Sequence, residues 1–385
     1  MIKLLQNATV YSPEALGVMD ILIADGKIAA MAPKIEGFAG LSAVEVIDLR
    51  GAITAPGFID LHVHITGGGG EMGPPSKVPE LQLSQLTRCG ITTVLGLYGT
   101  DGLTRGQEAL VTKSRALTQE GITCLCLSGA YRYPSPTLTG DVARDIVLVD
   151  PVVGVKLALA DHRASNPSLE EVIRLASDAR LGGMLAGKAG IVVVHMGAAE
   201  AGMTRIFEAL TGTDIPISTF LPTHCERNET LWRQAADFAR LGGTADFTAE
   251  PDGAKGGTAD ILARLVKEGT DPRRLTLSSD SGGSLPRFNG DGGCIGMDVG
   301  TPETLLLELG RLVRDCGLPL ETALLFLAEN PARVLGLAGR KGCLAVGADA
   351  DILVLGDDFA VRHLFAKGRR MVQDGQAVVL GMFER

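Results

Sequence analysis

The chain has 385 residues, of which 45% are hydrophobic and 21% charged, and it carries a net charge of −9. That length suits a large α/β core with a smaller module beside it. The negative charge, with aromatics at only 4%, argues against nucleic acid or an anionic membrane surface as a partner.

In chain order, residues 2–10 and 21–24 read as short strands, and Asp25-Gly26 is a hairpin turn into 27–30. The chain ends in a similar way, with strands expected over 352–355, 361–366 and 371–379, the last interrupted by Asp374-Gly375. Two β-rich ends around a different middle predict a small β-sandwich-like domain built from 1–51 and 339–385. The middle, 52–338, alternates apolar runs with helical patterns. Strands are expected over 52–59, 91–97, 122–127, 152–159, 191–195, 220–224, 244–248 and 275–278, with helices such as 168–181 and 231–241 between them. About eight such units predict a (β/α)8 TIM barrel. The other possibility is an open doubly wound sheet, but the glycine run Gly67 to Gly70 carries no downstream nucleotide signature.

Seven cysteines are scattered along the chain, and the close pair Cys124 and Cys126 falls on one face of an expected strand. Nothing in their spacing suggests a disulfide framework, so a cytoplasmic location is expected. The N-terminus lacks the pattern of a secretory leader, and no uncharged apolar stretch is long enough to span a bilayer.

Four of the six histidines end apolar runs. In GFIDLHVH, His62 and His64 lie two apart, so both rings leave a strand on the same side. An HxH pair alone is a weak signal, and a lone strand-end histidine is commonly a hydrogen-bonded structural residue. Together with His195 in GIVVVHMG and His224 in FLPTHC, however, the pattern points to metal ligands at the C-terminal ends of barrel strands. Asp280 in LSSDSGG could cap a following helix; beside the histidines it fits better as a ligand and proton acceptor. Lys156 lies inside the apolar run VVGVKLALA, where an unpaired ammonium is costly to bury. It is either a rim salt-bridge partner or an amine that reacts with carbon dioxide to give an anionic carbamate able to bridge two ions. Imidazole nitrogens and carboxylate-like oxygens without thiolates suit two divalent ions, zinc being the expected one. Such a pair makes a bridging hydroxide available near neutral pH, and Asp280 could shuttle its proton to a leaving nitrogen.

These motifs resemble the amidohydrolase superfamily, and GCLAVGADADILVL resembles its closing segment. Within it the chain resembles the isoaspartyl dipeptidases over essentially its whole length, through HITGGGGEMGP, GLYGTD, LSGAYRYPS, GVKLALADHRAS, LPTHCERN and LSSDSGGSLP. The resemblance implies a metalloprotease-type dipeptidase that hydrolyses β-aspartyl dipeptides and carries two metals bridged by carboxylated Lys156. It further implies that Glu71 holds the substrate's α-amino group and Tyr131 polarises the scissile carbonyl. Arg163, Arg227, Ser284, Thr100 and Gly69 would line the pocket for its carboxylates. A homo-oligomer, as large as an octamer, is implied on the same ground. Arginine forks suit carboxylates, although Arg163 could instead pair with Asp161 and Glu71 could be a solvated loop charge. The segment 247–257 and the Arg132-Tyr133 pair depart from the family pattern and bear on which second residue is accepted. The competing reading is a cyclic-amide hydrolase of the dihydroorotase or hydantoinase type, which has no use for Glu71. A non-catalytic barrel is a third reading, but such proteins lose metal ligands and every one is present here.

Overall fold

A computed structural model describes residues 2–38, 40–251, 256–288 and 294–384. Part of the divergent 247–257 segment, residues 252–255, thus lies outside the described residues.

The middle of the chain holds eight parallel strands in two sheets. Six of them, Phe58–Val63, Ile91–Gly96, Thr123–Gly129, Val152–Leu159, Ile191–Met196 and Phe220–Thr223, pair in sequence order. Two more, Ala245–Thr248 and Leu275–Ser278, form a parallel pair. The amide of Cys225 donates to Asp246 (3.2 Å), linking the six to the two, and the amide of His64 donates to Ser281 (2.8 Å), linking the last strand to the first. This curled sheet is consistent with the expected barrel. Ile91–Gly96, Val152–Leu159 and Ile191–Met196 are buried along their entire length, which explains why they read as unbroken apolar runs: parallel strands are covered on both faces.

Helices cover the outside. In Leu169–Ala186, Val172, Leu175, Ala176 and Ala179 form the buried stripe, Ser168 and Glu171 make a capping box, and Gly187 ends the helix in a left-handed conformation (φ 63°). Glu229–Arg240 starts at an Asn228 cap and buries Leu231, Trp232, Ala235 and Phe238.

Both ends of the chain enter one nine-stranded sheet. Its order is Gln376–Ala377, Arg369–Gln373, Val361–Ala366, Ile352–Leu355, Ile53–Pro56, Ile2–Tyr11, Ala15–Ala24 and Lys27–Ala32, with Val44–Asp48 also pairing with Ile2–Tyr11. Ile352–Leu355 pairs directly with Ile53–Pro56 and joins the two termini edge to edge, so the strands form one continuously hydrogen-bonded sheet. The strand expected over 52–59 is two strands. Ile53–Pro56 belongs to the terminal sheet and Phe58–Val63 to the parallel one, and they part at Gly57, where a Cβ would run into the side chain of Thr92. A hairpin, Ser284–Phe288 with Cys294–Val299, follows the last parallel strand and was not anticipated.

The junction between the two sheets depends on a buried cation. Lys341, only 2% exposed, donates to Asp351 and lies 2.9 Å from Asp349. Asp351 in turn accepts from the amide of Lys367 (2.7 Å) and, through its carbonyl, from Gly57 (3.0 Å). Replacing Lys341 by Ala leaves the buried Asp351 carboxylate without its cation, while Asp349 keeps Lys27 at 2.6 Å, so a loss of about 3–5 kcal/mol is expected, read as a lower urea midpoint with the metal-free protein.

Candidate functional site

The parallel strands converge their chemistry at one end. His62 sits in Phe58–Val63 with His64 just beyond it, Lys156 in Val152–Leu159, and His195 in Ile191–Met196. His224 and Asp280 follow Phe220–Thr223 and Leu275–Ser278. All six side chains are buried. His224 and Asp280 both adopt positive φ, 63° and 52°, a conformation unfavourable for side-chain-bearing residues and typical of functional turns. Close packing requires glycine nearby: a Cβ on Gly99 would lie 2.8 Å from the His64 ring, and one on Gly283 would lie 2.6 Å from Asp280 Oδ1.

Asp280 Oδ1 lies 3.0 Å from His64 Nε2 and 3.6 Å from His62 Nε2, and Lys156 Nζ lies 3.1 Å from His62 Nε2. The His62 and His224 rings are 4.7 Å apart, and those of His195 and His224 are 4.6 Å apart. Ligand atoms of His62, His224 and Asp280 lie within 4.8 Å of one another. Burial, aided by the neighbouring Lys156 and Arg227 charges, holds His62, His195 and His224 well below the usual histidine range. They are therefore neutral, as a metal requires of its imidazole ligands. Burial also pulls Lys156 down to about 7, so that an appreciable share is the free amine. The neutral imidazoles of His62 and His224, the Asp280 carboxylate and the convertible Lys156 amine beside His62 fit a divalent metal ion with nitrogen and oxygen preference, whereas both ring nitrogens of His195 are engaged by Tyr131, Asp161 and Arg227.

Beside this cluster is a second group of residues. Tyr131 OH lies 2.6 Å from His195 Nδ1, and burial keeps its hydroxyl protonated well above the usual range. Arg227 Nη1 lies 3.0 Å from His195 Nε2 and donates to Met196 O (2.8 Å). Glu71 Oε1 accepts from Ser284 (2.8 Å), Thr100 (3.0 Å) and Arg163 (3.4 Å). The other oxygen, Oε2, is buried without a partner among the described residues. Gly69, at φ 78°, pairs with Lys77 across the loop that carries Glu71. The Arg163–Asp161 pair anticipated as an ordinary salt bridge does form, with two contacts at 2.9 and 2.8 Å, and Nη1 is left facing Glu71. The Arg163 guanidinium also lies 5.4 Å from the centre of the Tyr131 ring.

Several participants escaped the sequence reading. Asp161 was seen only as a partner of Arg163, yet its Oδ2 lies 2.9 Å from His195 Nε2. Burial would raise its pKa, but hydrogen bonds from Arg163 and His195 outweigh that and hold it ionised far below the normal range. Asp60 Oδ1 accepts from the amides of His62 and Ser279 (both 3.1 Å), tying the HxH strand to the one that carries Asp280. The two-residue strand period places Asp60 in step with His62 and His64, a signal that was legible. Asp246 and Thr223, below His62, had no such signal.

If these donors hold metal, Asp280→Ala should lower the zinc bound per chain, measured by plasma mass spectrometry on protein purified with added zinc. Ser284→Ala, one shell away, should leave it unchanged.

The sequence pattern of the amidohydrolase family matches residues 176–371. A solved beta-aspartyl dipeptidase from Fervidobacterium islandicum AW-1 superposes with a TM-score of 0.92 at 40% identity, covering 100% of both chains. Among curated proteins, a dihydroorotase from Pelotomaculum thermopropionicum is 24% identical over 93% of this chain and 89% of its own length. An L-hydantoinase from Paenarthrobacter aurescens is 23% identical over 91% of this chain and 85% of its own. Full-length identity at this level, on the same fold and with the same motifs, settles the family: the chain belongs to the beta-aspartyl dipeptidases of the amidohydrolase superfamily.

Proposed function

We propose that this hydrolase cleaves the isopeptide bond of β-aspartyl dipeptides with two divalent ions, zinc by preference, held by His62, His64, Lys156, His195, His224 and Asp280. When bound, such ions polarise a carbonyl and make water acidic enough to serve as a nucleophile near neutral pH. Lys156 takes part as a carbamate: its free amine attacks carbon dioxide, a nitrogen–carbon bond forms and one proton leaves to solvent. The buried anion that results is the charge this site lacks. Asp280 accepts the proton of the attacking water at Oδ1 and returns it to the leaving nitrogen. Tyr131, kept protonated, donates to the scissile carbonyl oxygen as negative charge develops there. Arg227 and Arg163 offer guanidinium donors to the substrate's carboxylates.

The substrate class rests on Glu71. Its Oε1 is saturated by three donors while Oε2 is buried and without a partner among the described residues, and a buried carboxylate oxygen without a partner is costly unless a cation completes it. The free α-ammonium of a β-aspartyl dipeptide is such a cation. The Fervidobacterium structure is described as a complex with a β-Asp-Leu dipeptide, which supports the same reading. A cyclic-amide substrate, as named for the dihydroorotase and hydantoinase relatives, has no ammonium to offer.

We further read the eight parallel strands as a closed (β/α)8 barrel spanning 52–338, with 1–51 and 339–385 as one small β domain. The protein is read as a cytoplasmic homo-oligomer. No helix among the described residues is long and apolar enough to cross a membrane.

Glu71→Gln should abolish turnover of β-Asp-Leu, a loss of at least about 100-fold in kcat/KM for a buried charge pair, and leave any hydrolysis of dihydroorotate unchanged. Equal loss on both substrates, or faster turnover of the ring compound by the parent enzyme, would overturn the substrate assignment. The lysine chemistry has its own readout: metal-free protein given zinc in bicarbonate-depleted buffer should regain activity more slowly than with bicarbonate, and Lys156→Gln should not respond to bicarbonate at all.

A further inference from the structure

Beneath His62 lies a group of buried polar side chains with no part in the chemistry above. Asp246, 1% exposed, sits in the strand Ala245–Thr248. Three hydroxyls from the two flanking strands donate to it. Thr276 reaches Oδ1 at 2.7 Å, while Ser278 and Thr223 reach Oδ2 at 2.6 and 2.7 Å. The Thr223 oxygen also lies 3.3 Å from His62 Nδ1.

A threonine hydroxyl has one hydrogen. Here it goes to the carboxylate, the shorter and charge-assisted contact, which leaves only a lone pair to face the imidazole. A lone pair can face a ring nitrogen favourably only if that nitrogen carries the proton. The proton of neutral His62 therefore belongs on Nδ1, and Nε2, which faces Lys156 and Asp280, keeps its lone pair. We propose that Thr223 and Asp246 are positioning residues that lock His62 in the Nδ1–H tautomer and so keep its Nε2 ready to bind a metal ion.

The other histidines have different partners. His224 Nδ1 meets the Thr248 hydroxyl at 2.7 Å. His195 Nδ1 meets Tyr131, and its Nε2 faces Asp161 and Arg227. At His62 a carboxylate dictates the direction of the hydroxyl. The sequence shows why this was hidden: Thr223 and Asp246 lie far apart in the chain and meet only where the two parallel sheets adjoin.

The inference rests on the metal-site reading, and its test separates the two. Zinc affinity is measured on the metal-free protein by competition with a chromophoric chelator, and the urea midpoint of the metal-free protein reports the fold. Thr223→Val removes the acceptor while keeping the shape; the expected result is zinc binding weaker by about 10–100-fold with the midpoint unchanged. Thr223→Ser restores the hydroxyl and should bind within about threefold of the parent, well short of the effect of losing an outer-shell partner. Asp246→Asn can donate to Thr223, which frees the threonine hydrogen to face His62 Nδ1 and favours the wrong tautomer. It should therefore weaken zinc binding at least as much as Thr223→Val, and it serves as the test should that variant not fold. Parent-like affinity in a folded Thr223→Val, or equal losses in the Val and Ser variants, overturns the proposal. So does failure of both Thr223→Val and Asp246→Asn to fold, which assigns the cluster to structure alone. A parent protein that binds no zinc instead overturns the metal-site reading.

Discussion

A single electrostatic constraint underlies the site: the neutral imidazoles of His62 and His224 and the amine of Lys156 are held out of water beside the Asp280 carboxylate. Burial of this kind is unfavourable for a protein on its own. Removing water strips these groups of their hydration, and the cationic forms are suppressed because no dielectric screens them. What remains is a set of lone pairs pointing at one place with too little negative charge to satisfy them. Much of the surrounding architecture serves to tolerate that arrangement. Left-handed backbone turns His224 and Asp280 inward, and glycines stand where any side chain would collide with His64 or Asp280.

The polar residues behind the cluster keep it rigid. Asp60 ties the first parallel strand to the last through backbone amides on both, so the HxH pair and Asp280 move as one unit. Asp161 does comparable work on the other side, binding His195 and the Arg163 fork together. These buried carboxylates are satisfied by amides, hydroxyls and guanidinium groups, which is the condition under which a buried charge can orient its neighbours rather than disrupt them. Glu71 is the exception, with one oxygen satisfied three times over and the other without a described partner. That asymmetry gives the site a direction: one cation-seeking point next to a cluster of candidate metal ligands.

The terminal sheet contributes indirectly. Gly57 allows the chain to leave that sheet and enter the parallel one within a single residue, immediately before the metal-ligand motif. Lys341, Asp349 and Asp351 hold the junction from the C-terminal side. The position of His62 is thus anchored from both ends of the chain, although neither end reaches the site.

Much of this was legible in the residues themselves. Unbroken apolar runs marked the parallel strands because strands covered on both faces must be apolar throughout, and Val152–Leu159 falls where the pattern put it. Histidines at strand ends, the lysine in an apolar strand and the glycine run before Glu71 pointed to the reaction class, since each is costly there without a chemical reason. Which groups would meet could not be read from the sequence. Whether Arg163 paired with Asp161 or faced the pocket was open, and the folded chain has it do both. The split of 52–59 at Gly57 depends on Thr92, and the support of His62 by Thr223 and Asp246 depends on how the two parallel sheets adjoin. Local pattern records what each residue costs to bury; only the tertiary structure decides which partner meets that cost, because the partners come from strands distant in sequence.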